Sequence, residues 1–237
     1  MSLDGHALDE SLRVLAGRNA VQDVVPALED IAKACVDLFD IRGSGIMVAD
    51  QQNVTRYVAA SDGPGRALEI AESTTGQGPC TTAFVLNDVV ASDDLTADER
   101  WPELAEAMSS SGVRSILGVP VRLGGVPIGT LDVYRDWVQP WSERERAGLA
   151  RYADVVEATL AASLLAHKAG ELAEQLQYAL DYRIVIERGV GYLMARDGID
   201  AVAAFRKLRS AARSSRTKIG AVAETVLATG ELSIDAR

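Results

Sequence analysis

Apolar positions near the N-terminus recur with a helical period. Leu8, Leu12 and Leu15 are spaced four and three residues apart, which predicts one short amphipathic helix. Between residues 21 and 39 the same spacings continue over a longer stretch and place Cys35 on the apolar face. This pattern predicts a second helix that packs against a core, with Cys35 as a small buried residue.

Two pairs of short apolar runs predict strands. Residues 45–49 and 54–60 flank the polar turn 50–53, which predicts a hairpin. Residues 115–123 and 127–134 flank Gly124 and Gly125, the strongest hairpin signal in the chain.

The segment between these hairpins is mixed. Gly63-Pro-Gly65 predicts a break in the chain. The patterns that follow predict short helices at 67–72 and 80–86, a short strand at 89–92, and an acidic loop and helix at 93–110.

A heptad stripe runs through the second half of the chain. Ser142 and Glu145 form a capping box, which predicts a helix start. The stripe then comprises Val155, Ala158, Ala162, Leu165, Ala169, Leu172, Leu176, Ala179, Arg183, Ile186, Val190 and Leu193. A helix from 142 to 193 would be roughly 75 Å long. Because such a seam needs another chain, it predicts a coiled coil in a parallel homodimer. Gly170 allows either one bent helix or two stacked helices.

Two further helices are predicted after the break at Asp197 and Gly198. The first covers about 200–213, and the second covers about 217–228 with Thr217 as its N-cap.

The charge of the chain is divided unevenly. Residues 1–177 carry 14 Lys and Arg against 27 Asp and Glu, a net charge of −13, whereas residues 178–237 carry 10 against 7, a net charge of +3. Residues 201–223 hold six cations and no acid. An anionic partner explains such a block on an acidic chain, although cations can also simply solvate a helical bundle.

Metal, membrane and cofactor sites are not indicated. Cys35, Cys80, His6 and His167 are isolated from one another in sequence, so no metal site, disulfide framework or catalytic constellation is predicted. No run of about 18 uncharged apolar residues occurs, and the N-terminus has no signal pattern, which predicts a cytoplasmic protein.

Five motifs in register resemble the small-molecule-sensing GAF domain over about residues 20–167. They are Gly76-Gln-Gly-Pro-Cys80, Asp94-Leu95, Arg100-Trp101-Pro102, Gly112-Val-Arg-Ser-Ile-Leu-Gly-Val-Pro120 and Gly129-Thr-Leu-Asp-Val-Tyr134. The resemblance implies a mostly antiparallel sheet flanked by helices, with a ligand pocket lined by Cys80, Phe84, Trp101 and Tyr134. The alternative is that these four residues are core. No carboxylate pair or basic pocket marks the positions that bind cyclic nucleotides or tetrapyrroles in relatives, so neither a ligand nor a cofactor is assigned.

The C-terminal pattern, over about residues 172–228, resembles the RNA-binding ANTAR domain. The matching positions are Ala179, Leu180, Arg183, Ile186, Gly191, Leu193, Met194, Ala204, Phe205, Leu208, Arg209, Ala212, Ile219, Val222 and Ala223. The family usually has a basic residue directly before Gly191, and this chain has Val190. Either Arg188 supplies that charge or RNA binding is weaker.

Four arginines of the C-terminal region, Arg206, Arg209, Arg213 and Arg216, are spaced for one helical face. Guanidinium groups in a row can follow phosphates and bind unpaired bases. The predicted RNA-binding residues are Arg183, Arg188, Gly191, Arg206, Lys207, Arg209, Arg213, Arg216 and Lys218. A DNA-reading helix-turn-helix is disfavoured because the cations precede the turn instead of following it.

The predicted fold class is α+β: a GAF domain joined by a long coiled-coil helix to an all-α ANTAR bundle. The expected boundaries are an N-terminal extension at 1–20, the GAF domain at 21–167, the ANTAR domain at 168–230 and a tail at 231–237. The resemblances imply a dimer that binds RNA hairpins in leader transcripts, prevents terminator formation and catalyses no reaction.

Two other classes stay open. A GAF-based thiol enzyme of the methionine sulfoxide reductase kind needs a thiolate and a resolving cysteine, and only Cys80 is expected to be exposed. A protein-interaction adaptor would use the helical bundle without binding RNA.

Overall fold

The computed structural model describes residues 4–16, 24–49, 55–165 and 171–232, and it describes the side chains of all of these except 55–56, 163–165 and 171–181. The chain divides into two compact units, one largely within residues 1–173 and one largely within 174–237. Each unit is described by itself.

The first unit is built on a five-stranded sheet. Its strands are β1 (Gly43–Ala49), β2 (Thr55–Ala60), β3 (Val90–Ser92), β4 (Ser115–Leu123) and β5 (Val126–Arg135). They lie in the order β2-β1-β5-β4-β3, and β5 pairs antiparallel with both β1 and β4. Gly124 and Gly125 have φ of 60° and 85°, which confirms a tight hairpin turn that β-carbons would strain.

Helices cover both faces of this sheet. The helices of the first unit are α1 (Gly5–Ala16), α2 (Val24–Phe39), α3 (Gly63–Thr75), α4 (Pro79–Leu86), α5 (Pro102–Ala107) and α6 (Glu143–Leu165), with a 3-10 turn at Leu95–Ala97. Ser44 points to α2, where its Oγ donates to the carbonyl of Ala32 at 2.6 Å. Its neighbours Gly43 and Gly45 face Asp62 and Glu69 on the opposite side of the sheet. Residues therefore alternate between the α2 face and the α3 face, as a strand requires.

One predicted break is wrong. Gly63, Pro64 and Gly65 form the first turn of α3 instead of interrupting the chain. The Asp62 carboxylate accepts from the Gly65 nitrogen at 2.8 Å, and proline fits a first turn because its missing N–H has no partner there in any helix. The helix consequently covers Gly63–Thr75 instead of the predicted 67–72.

The capping box before α6 is confirmed. The Glu145 nitrogen donates to Ser142 Oγ at 3.3 Å, and the Ser142 nitrogen donates to Glu145 Oε2 at 2.8 Å. Glu145 also binds Arg135 at the end of β5, where the guanidinium carbon lies 3.8 Å from the centre of the Trp141 ring. This buried ion pair attaches the start of α6 to the sheet.

The second unit contains three helices within the described residues: α7 (Glu171–Asp197), α8 (Ala201–Ser215) and α9 (Ile219–Thr229). Its core includes Ile186, Leu193, Phe205, Leu208 and Val222. The prediction of Thr217 as N-cap of α9 is wrong. Lys218 occupies that position without a side-chain cap bond, and the Thr217 hydroxyl bonds Ser215 Oγ at 2.7 Å.

The heptad stripe has two different environments. On α6, Val155, Ala158 and Ala162 are only partly covered or exposed, whereas Tyr152 and Val156 are buried in the first unit. On α7, the stripe positions Ile186, Val190 and Leu193 are buried within this single chain. A β-carbon added at neighbouring Gly189 would lie 3.0 Å from Ala223 Cβ and 3.4 Å from Leu208 Cδ1, so α8 and α9 line this face.

These α7 positions are therefore unavailable to a second copy. The stripe positions Leu165, Ala169, Leu172, Leu176 and Ala179 lie outside the described side chains. The coiled coil stays a prediction for the stripe that begins on α6.

Candidate functional sites

The four predicted pocket residues all lie inside the first unit. Cys80, Phe84, Trp101 and Tyr134 are between 0% and 4% exposed, and Cys80, Trp101 and Tyr134 belong to one apolar core with residues of β1, β4 and α5. Trp101 Nε1 donates to Thr82 Oγ1 at 3.2 Å, which holds the loop before α5 against α4.

Tyr134 is fixed by a strong hydrogen bond. Its hydroxyl donates to Asp62 Oδ2 at 2.5 Å, and Asp62 is the N-cap of α3. Burial and the neighbouring carboxylate raise the pKa of this phenol above its usual range. The ring therefore remains neutral and links β5 to the start of α3.

Three buried carboxyl groups surround Cys80, and we call Glu69, Glu72 and Asp132 the acidic cluster. Each is at most 1% exposed. Glu69 and Glu72 are three residues apart on α3 and share a face, while Asp132 points from β5 towards them. Gly45 and Gly78 leave space for these carboxyl groups, because a β-carbon at either position would overlap one of them.

Glu72 has the clearest role in this cluster. Its two oxygens accept from the backbone nitrogens of Cys80 at 3.2 Å and Thr81 at 2.8 Å, in the first turn of α4. Burial raises the pKa of Glu72 to about 7, even though these hydrogen bonds favour the charged form. The carboxyl group thus serves as a buried acceptor for the otherwise unpaired donors of α4.

Glu69 and Asp132 share a low-dielectric environment. Burial raises the pKa of both groups, and the Asp132 charge raises that of Glu69 further. Sequence reasoning missed this cluster, although an aspartate between Leu131 and Val133 in an otherwise apolar strand was an available signal. Asp132 is far from the two glutamates along the chain, and only the packing of α3 on the sheet brings it to them.

Both thiols are also buried. Cys35 and Cys80 are 0% exposed, so the expectation that Cys80 is exposed is wrong. Burial raises the pKa of each thiol, and the acidic cluster raises that of Cys80 further. These surroundings disfavour the thiolate that nucleophilic cysteine chemistry needs.

The predicted RNA-binding residues of the second unit fall into two groups. Those on the surface are Arg188, Gly191, Arg206, Lys207, Arg213, Arg216 and Lys218, and those that are buried are Arg183 and Arg209. Arg183 donates to Glu187 at 2.8 Å, one turn later on α7, and burial lowers the pKa of its guanidinium. The two buried arginines belong to the packing of the bundle.

The predicted row of four arginines does not lie on one exposed face. Arg206 and Arg213 are exposed on α8, whereas Arg209 between them is 5% exposed. Arg216 stands outside α8 as its C-cap, with φ of 54°. The surface cations of α8 and of the turn after it therefore form the exposed set that we call the cationic face: Arg206, Lys207, Arg213, Arg216 and Lys218.

Val190, the departure from the ANTAR pattern, is 9% exposed. Arg188 is exposed two residues earlier on α7. The exposed charge on this part of α7 thus comes from Arg188, while Val190 contributes to the core.

An aromatic residue that was not predicted to bind RNA lies one turn after Arg188 on α7. Tyr192 is 38% exposed, and the guanidinium carbon of Arg196 lies 5.9 Å from the centre of its ring. Arg196 contacts Asp197, which in turn accepts from Lys207 Nζ at 2.7 Å. Tyr192 is thereby linked to the cationic face. A tyrosine between Arg188 and Arg196 at helical spacing was the signal available from sequence.

Neither a metal site nor a membrane-spanning helix occurs within the described part of the chain. No group of three or more His, Cys, Asp or Glu residues there has a geometry that could hold a metal ion. No helix among those residues is both long and apolar enough to cross a bilayer.

Comparison with protein families identifies both units. A model of the GAF domain matches residues 23–160, and a model of the ANTAR domain matches residues 174–227. The chain belongs to the GAF family and has the architecture of GAF-ANTAR regulators, a GAF sensor domain followed by an RNA-binding ANTAR domain. This architecture points to a regulator rather than an enzyme. Among curated proteins, none matches the chain.

Solved structures confirm the fold of the first unit. Free methionine-R-sulfoxide reductase from Neisseria meningitidis has a TM-score of 0.55 at 21% identity, covering 70% of this chain and 96% of that one. The GAF domain of a phosphoenolpyruvate-protein phosphotransferase gives 0.53 at 18% identity in Acinetobacter, covering 70% and 95%, and 0.53 at 14% identity in Coxiella burnetii, covering 66% and 91%. Identities this low show a shared fold alone.

Proposed function

We propose that this chain is an RNA-binding transcription antitermination regulator that acts in the cytoplasm. The GAF domain, at 21–167, senses a small molecule or another signal, and the ANTAR domain, at 168–230, binds RNA hairpins as a dimer. Binding in a leader transcript prevents formation of a terminator and raises downstream expression. The observation that carries this proposal is the cationic face on a chain whose net charge is −10.

The cationic face has the properties that a phosphate backbone requires. Its five side chains are exposed, and residues 201–223 contain no acid that would repel phosphate. The cations cluster on α8 and at the turn that follows it, where the helix C-terminus favours positive charge. Releasing counterions from RNA then supplies affinity that falls as salt rises.

The dimer in this proposal uses the second face of α6. Tyr152 and Val156 occupy the face that packs on the first unit. Val155, Ala158 and Ala162 follow heptad spacing on another side and retain exposure in the single chain. An apolar stripe that its own domain does not bury supports pairing with a second copy.

The test compares neutralised arginines on the two units. Arg206→Gln with Arg213→Gln removes two charges from the cationic face, and Arg13→Gln with Arg66→Gln removes two exposed charges from the first unit. Binding is measured to hairpins that the wild-type chain selects from a pool with randomised loops, over a range of salt. The first pair should weaken binding on the order of a hundredfold and lower the salt slope by about two. The control pair should change neither.

Two results separate this function from the adaptor. If the wild-type chain selects no hairpin from the pool, or if the Arg206 and Arg213 variant binds with unchanged affinity and salt slope, the RNA assignment fails. Transcription through a terminator that overlaps a selected hairpin then tests antitermination itself. Added protein should increase the fraction of full-length transcript.

A further inference from the structure

The outer surface of α7 presents an aromatic ring between two arginines. Arg188, Tyr192 and Arg196 are four residues apart, so they follow one side of the helix. Gly191 beside the ring has nothing within 4 Å of an added β-carbon, so the approach from solvent is open. Single exposed tyrosines are common on protein surfaces, and exposure alone assigns no role.

The ring is held in a defined position before any partner arrives. Its hydroxyl lies against Gly230, the left-handed C-cap of α9, where a β-carbon would come within 2.8 Å of the Tyr192 oxygen. Arg196 places its guanidinium carbon 5.9 Å from the ring centre and donates to the Gly230 carbonyl. A partner that binds this ring therefore loses little entropy in ordering it.

This surface is continuous with the cationic face. Asp197 contacts Arg196 on one side and Lys207 on the other, so a chain of ion pairs connects Tyr192 to α8. Glu187, an exposed acid on the same helix, is paired with Arg183. Glu231, next to Gly230, is a further exposed acid. These two acids and Asp197 stand against Arg183, Arg188, Arg196 and Lys207, so the net charge around the ring is positive.

We propose that Tyr192 is a stacking platform for an unpaired RNA base, with Arg188 contacting a flanking phosphate and Arg196 holding the ring in place. This inference rests on the proposed RNA-binding function and names the part of the RNA that α7 would contact. RNA exposes its sequence in unpaired loops, whose bases stack on aromatic side chains and guanidinium planes. Arginines on both sides suit an anionic partner better than an apolar protein surface.

Base stacking and phosphate binding can be measured separately, because stacking uses a neutral ring and phosphate binding uses a positive charge. Tyr192→Leu removes the ring but no charge, so affinity should fall about tenfold while the salt slope stays unchanged. Tyr192→Phe keeps the ring and should bind close to wild type. Ile184→Ala is the matched control, since Ile184 is an exposed apolar residue on the same helix at 60% exposure.

The experiment uses the full chain and the hairpins selected by the wild type from the randomised-loop pool. One loop base is replaced by 2-aminopurine at each position in turn, and quenching of its fluorescence reports stacking. At one loop position, the wild type and the Phe variant should quench and the Leu variant should not. Photocrosslinking of the wild-type chain to a hairpin with 4-thiouridine in its loop should also map to Tyr192. This measurement does not depend on whether a variant folds.

The outcomes separate this inference from the function on which it rests. If no hairpin is selected, both fail. If hairpins bind with a steep salt slope but the folded Leu variant retains affinity and quenching, RNA binding stands and the stacking role is overturned. A crosslink that maps elsewhere on α7, α8 or α9 and not to Tyr192 also overturns it.

Discussion

The two units place their charged groups in opposite environments. The first unit buries three carboxyl groups beside Cys80 and an arginine, Arg135, at the end of β5. The second unit buries Arg183 and Arg209, but seven of its other described cations lie on the surface. The buried charged groups of the first unit meet one another inside the fold, whereas most of the described cations of the second face solvent.

This difference links each unit to a different solution variable. A buried carboxyl group is stable only when it is protonated or hydrogen-bonded, so the first unit should respond to pH. Exposed cations cost little to keep charged and attract an anionic partner through a field that salt screens. We therefore expect pH to act on the stability of the sensor unit, and salt to act on binding at the helical bundle.

The largest effect should follow from breaking the buried ion pair of the first unit. Arg135→Met leaves Glu145 without its cationic partner, at a site where the two side chains are 3% and 12% exposed. The free energy of unfolding should fall by about 3–5 kcal/mol, and high salt should not reproduce the loss. Denaturant unfolding followed by tryptophan fluorescence measures this, because Trp101, Trp137 and Trp141 all belong to the first unit.

The control is an exposed ion pair at the same end of β5. Arg42 and Asp136 are 2.9 Å apart with side chains 63% and 43% exposed. Arg42→Met should cost less than about 1 kcal/mol. Equal losses in the two variants would show that burial does not set the strength of the Arg135 pair.

The next effect is the pH dependence of the first unit. The folded chain holds the Glu72 proton up to about pH 7, whereas the unfolded chain releases it near the ordinary glutamate value of 4.5. The contribution of Glu72 to the unfolding free energy is therefore greatest below that ordinary value and is lost as pH rises through 7, by about 3 kcal/mol. Asp98 has the opposite effect: its pKa is lowered in the folded chain, so its contribution to stability is lost as pH falls at more acidic pH.

Glu72→Gln tests the source of that dependence. The glutamine carbonyl can still accept from the α4 backbone, but it does not titrate, so the fall in stability between about pH 5 and about pH 8 should become smaller. The tryptophan signal follows both proteins. An unchanged pH profile in the variant would assign the dependence to other groups, such as Glu69 and Asp132.

The smallest effect compares two glycines on α7. Gly191→Ala adds a methyl group in open space on a helix and should stabilise the second unit by up to about 1 kcal/mol. Gly189→Ala should destabilise it by about 1 kcal/mol or more, because its β-carbon would lie 3.0 Å from that of Ala223. Hydrogen exchange of α7 and α9 peptides measures both.

RNA affinity of the Gly191 variant adds a second measurement. Gly191 is a predicted RNA-binding residue on the exposed side of α7. If RNA approaches the bare backbone there, Gly191→Ala should weaken hairpin binding while it stabilises the helix. Unchanged affinity would remove Gly191 from the predicted interface.

Local signals in the sequence predicted local structure well. Ser142 and Glu145 form the expected capping box, and Gly124 and Gly125 form the expected tight turn. The prediction failed where two local solutions competed. Either Thr217 or Lys218 can precede α9, and the Thr217 hydroxyl bonds Ser215 instead of capping. Gly63-Pro-Gly65 can break a chain or begin a helix, and the Asp62 cap decides for the helix.

The heptad stripe shows a limit of periodicity. A repeat of three and four residues says that one side of a helix is covered, but it does not say by what. On α7 the covering elements are α8 and α9 of the same chain, and on α6 the stripe keeps exposure. Spacing along the chain is the same in both cases, so only packing distinguishes them.

The sequence by itself determined the order of the two domains, their fold classes and the block of cations near the C-terminus, because these follow from periodicity, turn chemistry and net charge. Only the tertiary structure decided that Arg209 is buried while Arg213 is exposed, and that Glu69, Glu72 and Asp132 meet around Cys80. The physical reason is that burial and charge pairing depend on which elements pack together. Residues far apart in the chain share one environment only after the sheet and the helices have assembled.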